Sequence, residues 1–187
     1  MALSDRTGVL SFVADPPSGF NASTSGESAM AHGEHKYRVT IEWTGNKGSG
    51  TSGYRDYGRD HVIRSGAKPD IPGSSDPAFL GDATRWNPED LLVASASACH
   101  KLWYLHLCGD AGIRVMAYVD EAEGTMADRP DVGRFTEIVL RPRVTILAGD
   151  NRELAERLHH AAHAKCYIAN SVSFPIRCEP TVEFAAA

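Results

Sequence analysis

The stretch Asn87-Pro88-Glu89-Asp90-Leu91-Leu92-Val93-Ala94-Ser95-Ala96-Ser97-Ala98-Cys99 carries the strongest structural signal in the chain. Asn87 is a favourable N-cap, Pro88 suits the first helical position, and the two acidic residues that follow complement the helix dipole. Because no proline or glycine intervenes before residue 108, the sequence predicts a helix over 88–107. Its centre is small and apolar almost all round, which predicts burial on most sides with other backbones packed closely.

Around this helix the sequence predicts an α+β domain. Apolar residues occupy every odd position of 36–43, which indicates a strand with one buried face. A second helix is predicted over 152–168, with Asp150 or Asn151 as its cap. Helices segregated to one side of antiparallel strands are typical of the α+β class. The remaining predictions are strands at 54–63, 113–119, 135–147 (interrupted at Pro142) and 176–184, and a long ordered loop at 64–86.

Composition narrows the class of protein. The chain has 187 residues and a formal net charge of −5, which fits one domain and argues against a nucleic-acid partner. We expect no membrane association, because no apolar run approaches the roughly 20 residues of a spanning helix. The first 15 residues do not resemble a signal peptide and cysteines are sparse, so we expect a cytoplasmic location.

The first 34 residues differ from the rest of the chain. They are rich in turn formers and small polar residues and show no periodic pattern. We therefore predict a loosely packed extension at 1–34 and a folded domain at 35–187. Met30 offers an alternative start in the same frame.

Two of the four cysteines lie on the predicted helices, Cys99 on the first and Cys166 on the second. A free cysteine usually behaves as a small buried hydrophobic residue, and that interpretation also covers Cys108 and Cys178. The absence of a CxxC pair gives no thioredoxin or paired-cysteine zinc motif.

Histidines allow a metal-binding interpretation. His160, His163 and Cys166 step by three along the second helix, a spacing that places ligands on one helix face, and His159 lies next to them. Three consecutive ligands on one helix rarely complete a tetrahedron, and histidines near a helix C-terminus also complement its dipole. We interpret His100 and His106 as ordinary amphipathic positions.

Glu89 has a simple explanation in the helix dipole, but it also lies 10 residues before Cys99. On a straight helix that separation is about 15 Å of rise. The two side chains therefore cannot meet within one helix. If Glu89 acts beside a cysteine, that cysteine comes from elsewhere, most simply from a second copy of the chain.

Two motifs together resemble the OsmC/Ohr family, the osmotically inducible and organic hydroperoxide resistance proteins. The segment 87–99 resembles that family's "NPEELL…AACF" helix, and His163-Ala164-Lys165-Cys166-Tyr167-Ile168-Ala169-Asn170-Ser171 resembles its second-cysteine helix. The resemblance covers about residues 35–184. It implies the OsmC-like fold, with two central helices and antiparallel strands, assembled as an intertwined homodimer whose sites lie at the subunit interface.

The resemblance also implies a thiol peroxidase acting on organic hydroperoxides and more weakly on hydrogen peroxide. Cys99 would attack the peroxide and Cys166 would resolve the sulfenic acid, with an external dithiol, for example of the lipoyl type, as reductant and no cofactor or metal. An arginine held by Glu89 would stabilise the thiolate. Arg59, in Tyr57-Gly58-Arg59-Asp60, resembles the arginine of the Ohr branch, and Arg55 and Arg85 are its nearby rivals.

Two other functions stay open on the sequence. The chain could keep the fold as a non-catalytic protein that binds a small apolar ligand. It could also hold a metal between Cys99, Cys166 and the helix histidines.

Overall fold

The structure is a computed structural model that describes residues 33–128 and 132–186. Contacts within the chain divide it into two units, residues 1–37 and 38–187. Of the first unit, residues 33–37 are described; they are exposed and form no helix or strand. The predicted extension at 1–34 and the alternative start at Met30 therefore lie almost wholly outside the described residues.

The second unit contains two long helices and three small sheets. In the described residues the helices are α1 (Pro88–Asp110) and α2 (Arg152–Lys165). The strands are β1 (Thr40–Trp43), β2 (His61–Arg64), β3 (Ile71–Gly73), β4 (Val115–Asp120), β5 (Glu123–Ala127), β6 (Arg134–Leu140), β7 (Pro142–Ile146), β8 (Ile176–Cys178) and β9 (Thr181–Phe184).

Helix α1 begins as predicted. The Asn87 side chain accepts a hydrogen bond from the Asp90 backbone N–H at 2.7 Å, which satisfies one of the free donors of the first turn. The prediction that α1 is buried on most sides is wrong for the single chain. Only a stripe spaced by four residues, from Ala96 to Cys108, is fully buried, while Leu102 is 63% exposed. The reason is that residues 33–128 and 132–186 cover only one face of the helix fully.

Helix α2 is capped by Asn151, whose side chain accepts a hydrogen bond from the Leu154 N–H at 2.9 Å. It ends at Lys165, three residues earlier than predicted, because the backbone of Cys166 is extended. Its buried residues, Ala155, His159 and Ala162, lie on one face, as expected of an amphipathic helix.

The three sheets have the orders β1-β2-β3, β4-β7-β9 and β5-β6-β8. Most neighbouring strands are antiparallel, but β6–β8 and β7–β9 are parallel. The predicted strand at 135–147 is two strands in different sheets, since the chain changes sheet at Arg141. The predicted strand at 176–184 divides in the same way between β8 and β9, and the predicted loop at 64–86 contains β3.

Two apolar clusters form the core. The larger lies where α1 and α2 pack on β4-β7-β9, around Tyr104, Val144 and Ala162. The smaller lies between the first half of α1 and β5-β6-β8, around Ala96 and Ile138. No helix in the described ranges is long and apolar enough to cross a lipid bilayer.

The predicted buried face of β1 is open within the single chain. Val39, Ile41 and Trp43 lie on that face and are 65%, 57% and 42% exposed. The alternation is therefore real, but the described part of this unit leaves much of the apolar side uncovered.

Candidate active site

The two helices bring together the cysteines that the sequence singled out. Cys99 lies in the middle of α1 and is half-buried, whereas Cys166 follows the last residue of α2 and is 2% exposed. Both are free thiols, and Cys99 lies close enough to Cys166 to raise the pKa of its thiol. The pair therefore consists of one partly exposed cysteine and one enclosed cysteine.

The surroundings of Cys166 disfavour its thiolate. Burial raises the pKa of this thiol to about 11, and the neighbouring Cys99 acts in the same direction. The Cys166 sulfur accepts a 3.4 Å hydrogen bond from the Ala169 N–H, which partly offsets the effect. Cys166 is thus a protonated thiol near neutral pH.

Glu89 lies in the first turn of α1, on the wall of an open cavity of about 680 Å³ that it shares with Asp90, Val93 and Lys101. Cys99 does not line this cavity. Among the described residues, Glu89 has no side-chain hydrogen bond or ion pair. The structure therefore does not bring Glu89 to Cys99 within one chain, in agreement with the helix geometry.

Arg59 is fixed in the loop between β1 and β2. Its guanidinium donates to the carbonyls of Tyr57 at 2.7 Å and Tyr54 at 2.8 Å, and it lies 4.3 Å and 4.5 Å from the centroids of the two tyrosine rings. All of these partners are neutral, so the charge is held in place but is not paired with a carboxylate in the described part of the chain. Arg59 does not meet Glu89 or Cys99 in the single chain.

The two rival arginines have different surroundings. Arg85 approaches two carboxylates of its own region, Asp82 at 3.4 Å and Asp60 at 3.8 Å. Arg55 is exposed and makes no side-chain hydrogen bond or ion pair within the described ranges. Of the three, only Arg59 is both ordered by its neighbours and free of a carboxylate partner.

A second cluster, which the sequence did not predict, joins α1, α2 and β8. His100 Nε2 lies 3.0 Å from His159 Nδ1, and the sulfur of Cys178 lies 3.5 Å and 3.9 Å from these two nitrogens. Both histidines are buried. Burial lowers the pKa of His100 to about 4 and that of His159 to about 3, so both rings are neutral near pH 7.

This cluster corrects the metal hypothesis drawn from the sequence. Among the described residues, the side chains that converge as potential ligands are His100, His159 and Cys178, and not Cys99 or Cys166 with the histidines of α2. The available signal was the position of His100 on the buried stripe of α1, four residues from Ala96 and Tyr104.

Comparison with known proteins gives a family assignment. The family model described as OsmC-like protein matches residues 81–181, which include α1, both central cysteines and β8. No curated protein matches the sequence.

Solved structures give the same architecture. An OsmC-like protein of unknown function from Vibrio cholerae is 27% identical, with a TM-score of 0.72 over 79% of this chain and 100% of that one. An organic hydroperoxide resistance protein from Elizabethkingia anophelis is 18% identical, with a TM-score of 0.60 over 83% and 100%. OhrB, the organic hydroperoxide resistance protein of Bacillus subtilis, is 21% identical, with a TM-score of 0.53 over 79% and 98%. These likenesses confirm the predicted fold class.

Proposed function

Because the chain belongs to the family of OsmC-like proteins, we propose that it is a thiol-dependent peroxidase that reduces organic hydroperoxides, and hydrogen peroxide more weakly. The observation that carries the proposal is the proximity of Cys99 and Cys166, which come from α1 and the end of α2 and lie close enough for Cys99 to raise the pKa of the Cys166 thiol. The solved organic hydroperoxide resistance proteins that share the fold support this substrate class.

The reaction needs only thiol chemistry. The Cys99 thiolate attacks one oxygen of the hydroperoxide, the O–O bond breaks, and the alkoxide leaves with a proton as an alcohol, so that Cys99 becomes a sulfenic acid. The Cys166 thiol then condenses with the sulfenic acid, which forms a disulfide and releases water. An external dithiol reduces the disulfide by two thiol exchanges and is itself oxidised.

The difference in exposure assigns the two roles. Cys99 is half-buried and reachable by a peroxide, whereas Cys166 is enclosed and its pKa is raised to about 11. A protonated, enclosed thiol is a poor first nucleophile but is well placed to react with a sulfenic acid on the neighbouring sulfur. We therefore assign Cys99 as the attacking residue and Cys166 as the resolving residue.

We further propose that the active form is a homodimer in which Arg59 and Glu89 pair across the two copies. Within the described ranges, Arg59 offers a positioned charge without a carboxylate partner, and Glu89 lines an open cavity without forming an ion pair. Such a pair would orient the guanidinium toward Cys99, where its charge would favour the thiolate.

The apolar surface of the single chain supports the dimer. The β1 face of Val39, Ile41 and Trp43 is exposed, as is Leu102 on α1. Contiguous apolar surface of this kind marks an interaction site in soluble proteins. A second copy that covers both features would complete the burial that the sequence pattern of β1 and α1 predicts.

Thiol counting tests the peroxidase. The fully reduced protein is treated with one equivalent of cumene hydroperoxide, and free thiols are counted before and after. We expect two thiols per chain to be lost and one alcohol to be formed, and the Cys108→Ser control should behave in the same way. Retention of all four thiols would instead favour a non-catalytic ligand-binding protein.

A further inference from the structure

We propose that His100, His159 and Cys178 form a buried zinc-binding site, separate from the cysteine pair of the proposed peroxidase. The three residues come from α1, α2 and β8, so a bound ion would tie together three elements that are distant in the sequence. Their donor atoms all lie within 4.8 Å of one another.

The distances suit a single metal ion. The separations are 3.0 Å between the two nitrogens and 3.5 Å and 3.9 Å from each nitrogen to the sulfur. For an ion at the ordinary Zn–N and Zn–S distances of about 2.0 and 2.3 Å, these separations give donor–metal–donor angles of about 97° to 130°. These angles lie around those of a tetrahedron, and the two imidazole rings, whose planes are 7° apart, would have to turn from each other toward the ion.

The donor set selects the metal by its chemistry. Two imidazoles and one thiolate are borderline to soft ligands, which suit zinc and exclude magnesium or calcium, both of which prefer oxygen. Zinc binding would release the proton of the Cys178 thiol to solvent, and the resulting thiolate would neutralise one of the two positive charges of the zinc ion. The Asp120 carboxylate acts electrostatically on both His100 and Cys178, so its negative charge would stabilise the remaining positive charge of the zinc ion.

The two histidine rings face each other across a 3.0 Å hydrogen bond between His100 Nε2 and His159 Nδ1, so one of these nitrogens carries a proton in the metal-free chain. The outward nitrogens, His100 Nδ1 and His159 Nε2, are buried and have no hydrogen-bond partner in the described part of the chain. Zinc binding would therefore move the shared proton to the outward nitrogen of the ring that carries it, which frees both facing lone pairs for the ion.

A cavity gives access to the open corner of the site. It has a volume of about 340 Å³ and is lined by His159, His163 and Cys178, among others. His163 lies one turn after His159 on α2, and its Nδ1 is buried without a hydrogen-bond partner among the described residues. His163 is not among the converging donor atoms, so it would supply the fourth ligand through a bound water.

Metal titration of the full-length, reduced, chelator-treated protein tests the site. Zn²⁺ is titrated against a chromophoric chelator, and Co²⁺ is used as a spectroscopic substitute. We expect one ion per chain, with the visible bands of tetrahedral Co²⁺ and a near-ultraviolet thiolate-to-cobalt band. Cys178→Ala should abolish the thiolate band, and His159→Gln should weaken zinc binding by at least about 100-fold.

Matched variants locate the site. Cys108→Ala removes a buried thiol of α1 that lies outside the proposed site. The double variant Cys99→Ser/Cys166→Ser removes the redox pair. Both variants should keep the thiolate-to-cobalt band. If the double variant loses the band while Cys178→Ala keeps it, the ion binds at the redox pair and the proposal is wrong. If the native chain gives no thiolate band, the cluster is a hydrogen-bonded pair of core histidines and the proposal is equally overturned.

A measurement on the native chain tests the site without relying on variants, which could fail to fold. Zinc should protect Cys178 from alkylation by N-ethylmaleimide, as read by mass spectrometry of peptides, while Cys99 remains reactive. Equal labelling of Cys178 with and without zinc would contradict the proposal without reference to any variant.

Discussion

Cys99 lies close enough to Cys166 to raise the pKa of its thiol, although the two residues come from α1 and the end of α2. This proximity makes the two cysteines the partners that we expect in a disulfide. We expect Cys99→Ser to abolish the consumption of cumene hydroperoxide. Cys166→Ser should consume one equivalent in a single burst, after which the sulfenic acid on Cys99 is trapped by dimedone and detected by mass spectrometry.

The Cys166→Ser variant also tests the opposite assignment of the two roles. If Cys166→Ser leaves Cys99 unreactive toward peroxide, the attacking and resolving roles are exchanged. Cys108→Ser provides the control, because Cys108 is a buried thiol of the same helix that packs in the core away from the pair.

The second prediction concerns assembly. We expect a homodimer in sedimentation velocity at micromolar concentration, with an interface above the standard total of about 1,600 Å². Ile41→Lys should shift the chain toward monomer and lower its peroxidase activity, because Ile41 lies on the apolar face of β1 and is 57% exposed in the single chain. Thr40→Lys is the matched control, since adjacent strand residues point to opposite faces. A native chain that sediments as a monomer would contradict the dimer.

The ends of helices and strands were predictable where a local sequence signal marks them. They were missed where contacts between distant residues determine them. Asn87 and Pro88 mark the start of α1 in the sequence and in the structure. The break between β6 and β7 has a weaker signal: Pro142 predicts an interruption, but apolar residues continue on both sides of it, and nothing local shows that the two halves join different sheets. What fixes it is a distant contact, the 2.7 Å hydrogen bond from the Arg141 N–H to the Asp120 carboxylate. Strand β3 contains Pro72, which disfavours strands except at sheet edges, and β3 is an edge strand.

Of the two candidate sites, one could be predicted from local motifs and the other depends on tertiary packing. Cys99 and Cys166 could be selected because each lies in a recognisable motif. The cluster of His100, His159 and Cys178 could not be, since its members are separated by 59 and 19 positions and none has a motif of its own. Only the packing of α1 on α2 and β8 places these three side chains together.

The third prediction identifies the activating arginine. Arg59→Ala should slow the reaction with cumene hydroperoxide at pH 7 by about 100-fold, the usual cost of removing a group that stabilises charge in a reaction. Arg85→Ala should have a small effect, because its guanidinium is already paired with Asp82 and Asp60. Stopped-flow measurement of the second-order rate constant distinguishes them. A larger effect in Arg85→Ala or Arg55→Ala would show that the choice of Arg59 is wrong.

The fourth prediction compares two glycines. A Cβ on Gly45 would lie 2.1 Å from the Gly58 carbonyl oxygen, which is backbone and cannot rotate away. Gly45→Ala should therefore distort the loop that carries Arg59 and lower both stability and peroxidase activity. Gly109→Ala meets no atom within 4 Å near the end of α1 and should stabilise the chain by up to about 1 kcal/mol. Thermal unfolding of both variants provides the measurement, and equal melting temperatures would contradict the predicted clash.

The last prediction concerns acid stability at the start of α2. Asp150 accepts hydrogen bonds from the Arg114 backbone N–H at 2.7 Å and from its guanidinium at 2.6 Å. These bonds lower the pKa of Asp150 below its ordinary value of 3.8. A carboxyl group with a depressed folded-state pKa stabilises the fold above its unfolded-state pKa, and the contribution is lost as the pH falls through the folded-state value. Asp150→Asn should therefore lower the melting temperature by about 2–4 °C at pH 7, and the difference from the native chain should shrink toward pH 3.

Glu153→Gln is the control, because Glu153 forms an exposed ion pair with Arg157 on the same helix and its loss should change the melting temperature little. A deficit in Asp150→Asn that stays constant from pH 7 to pH 3 would mean that packing, and not the charge on Asp150, holds this junction together.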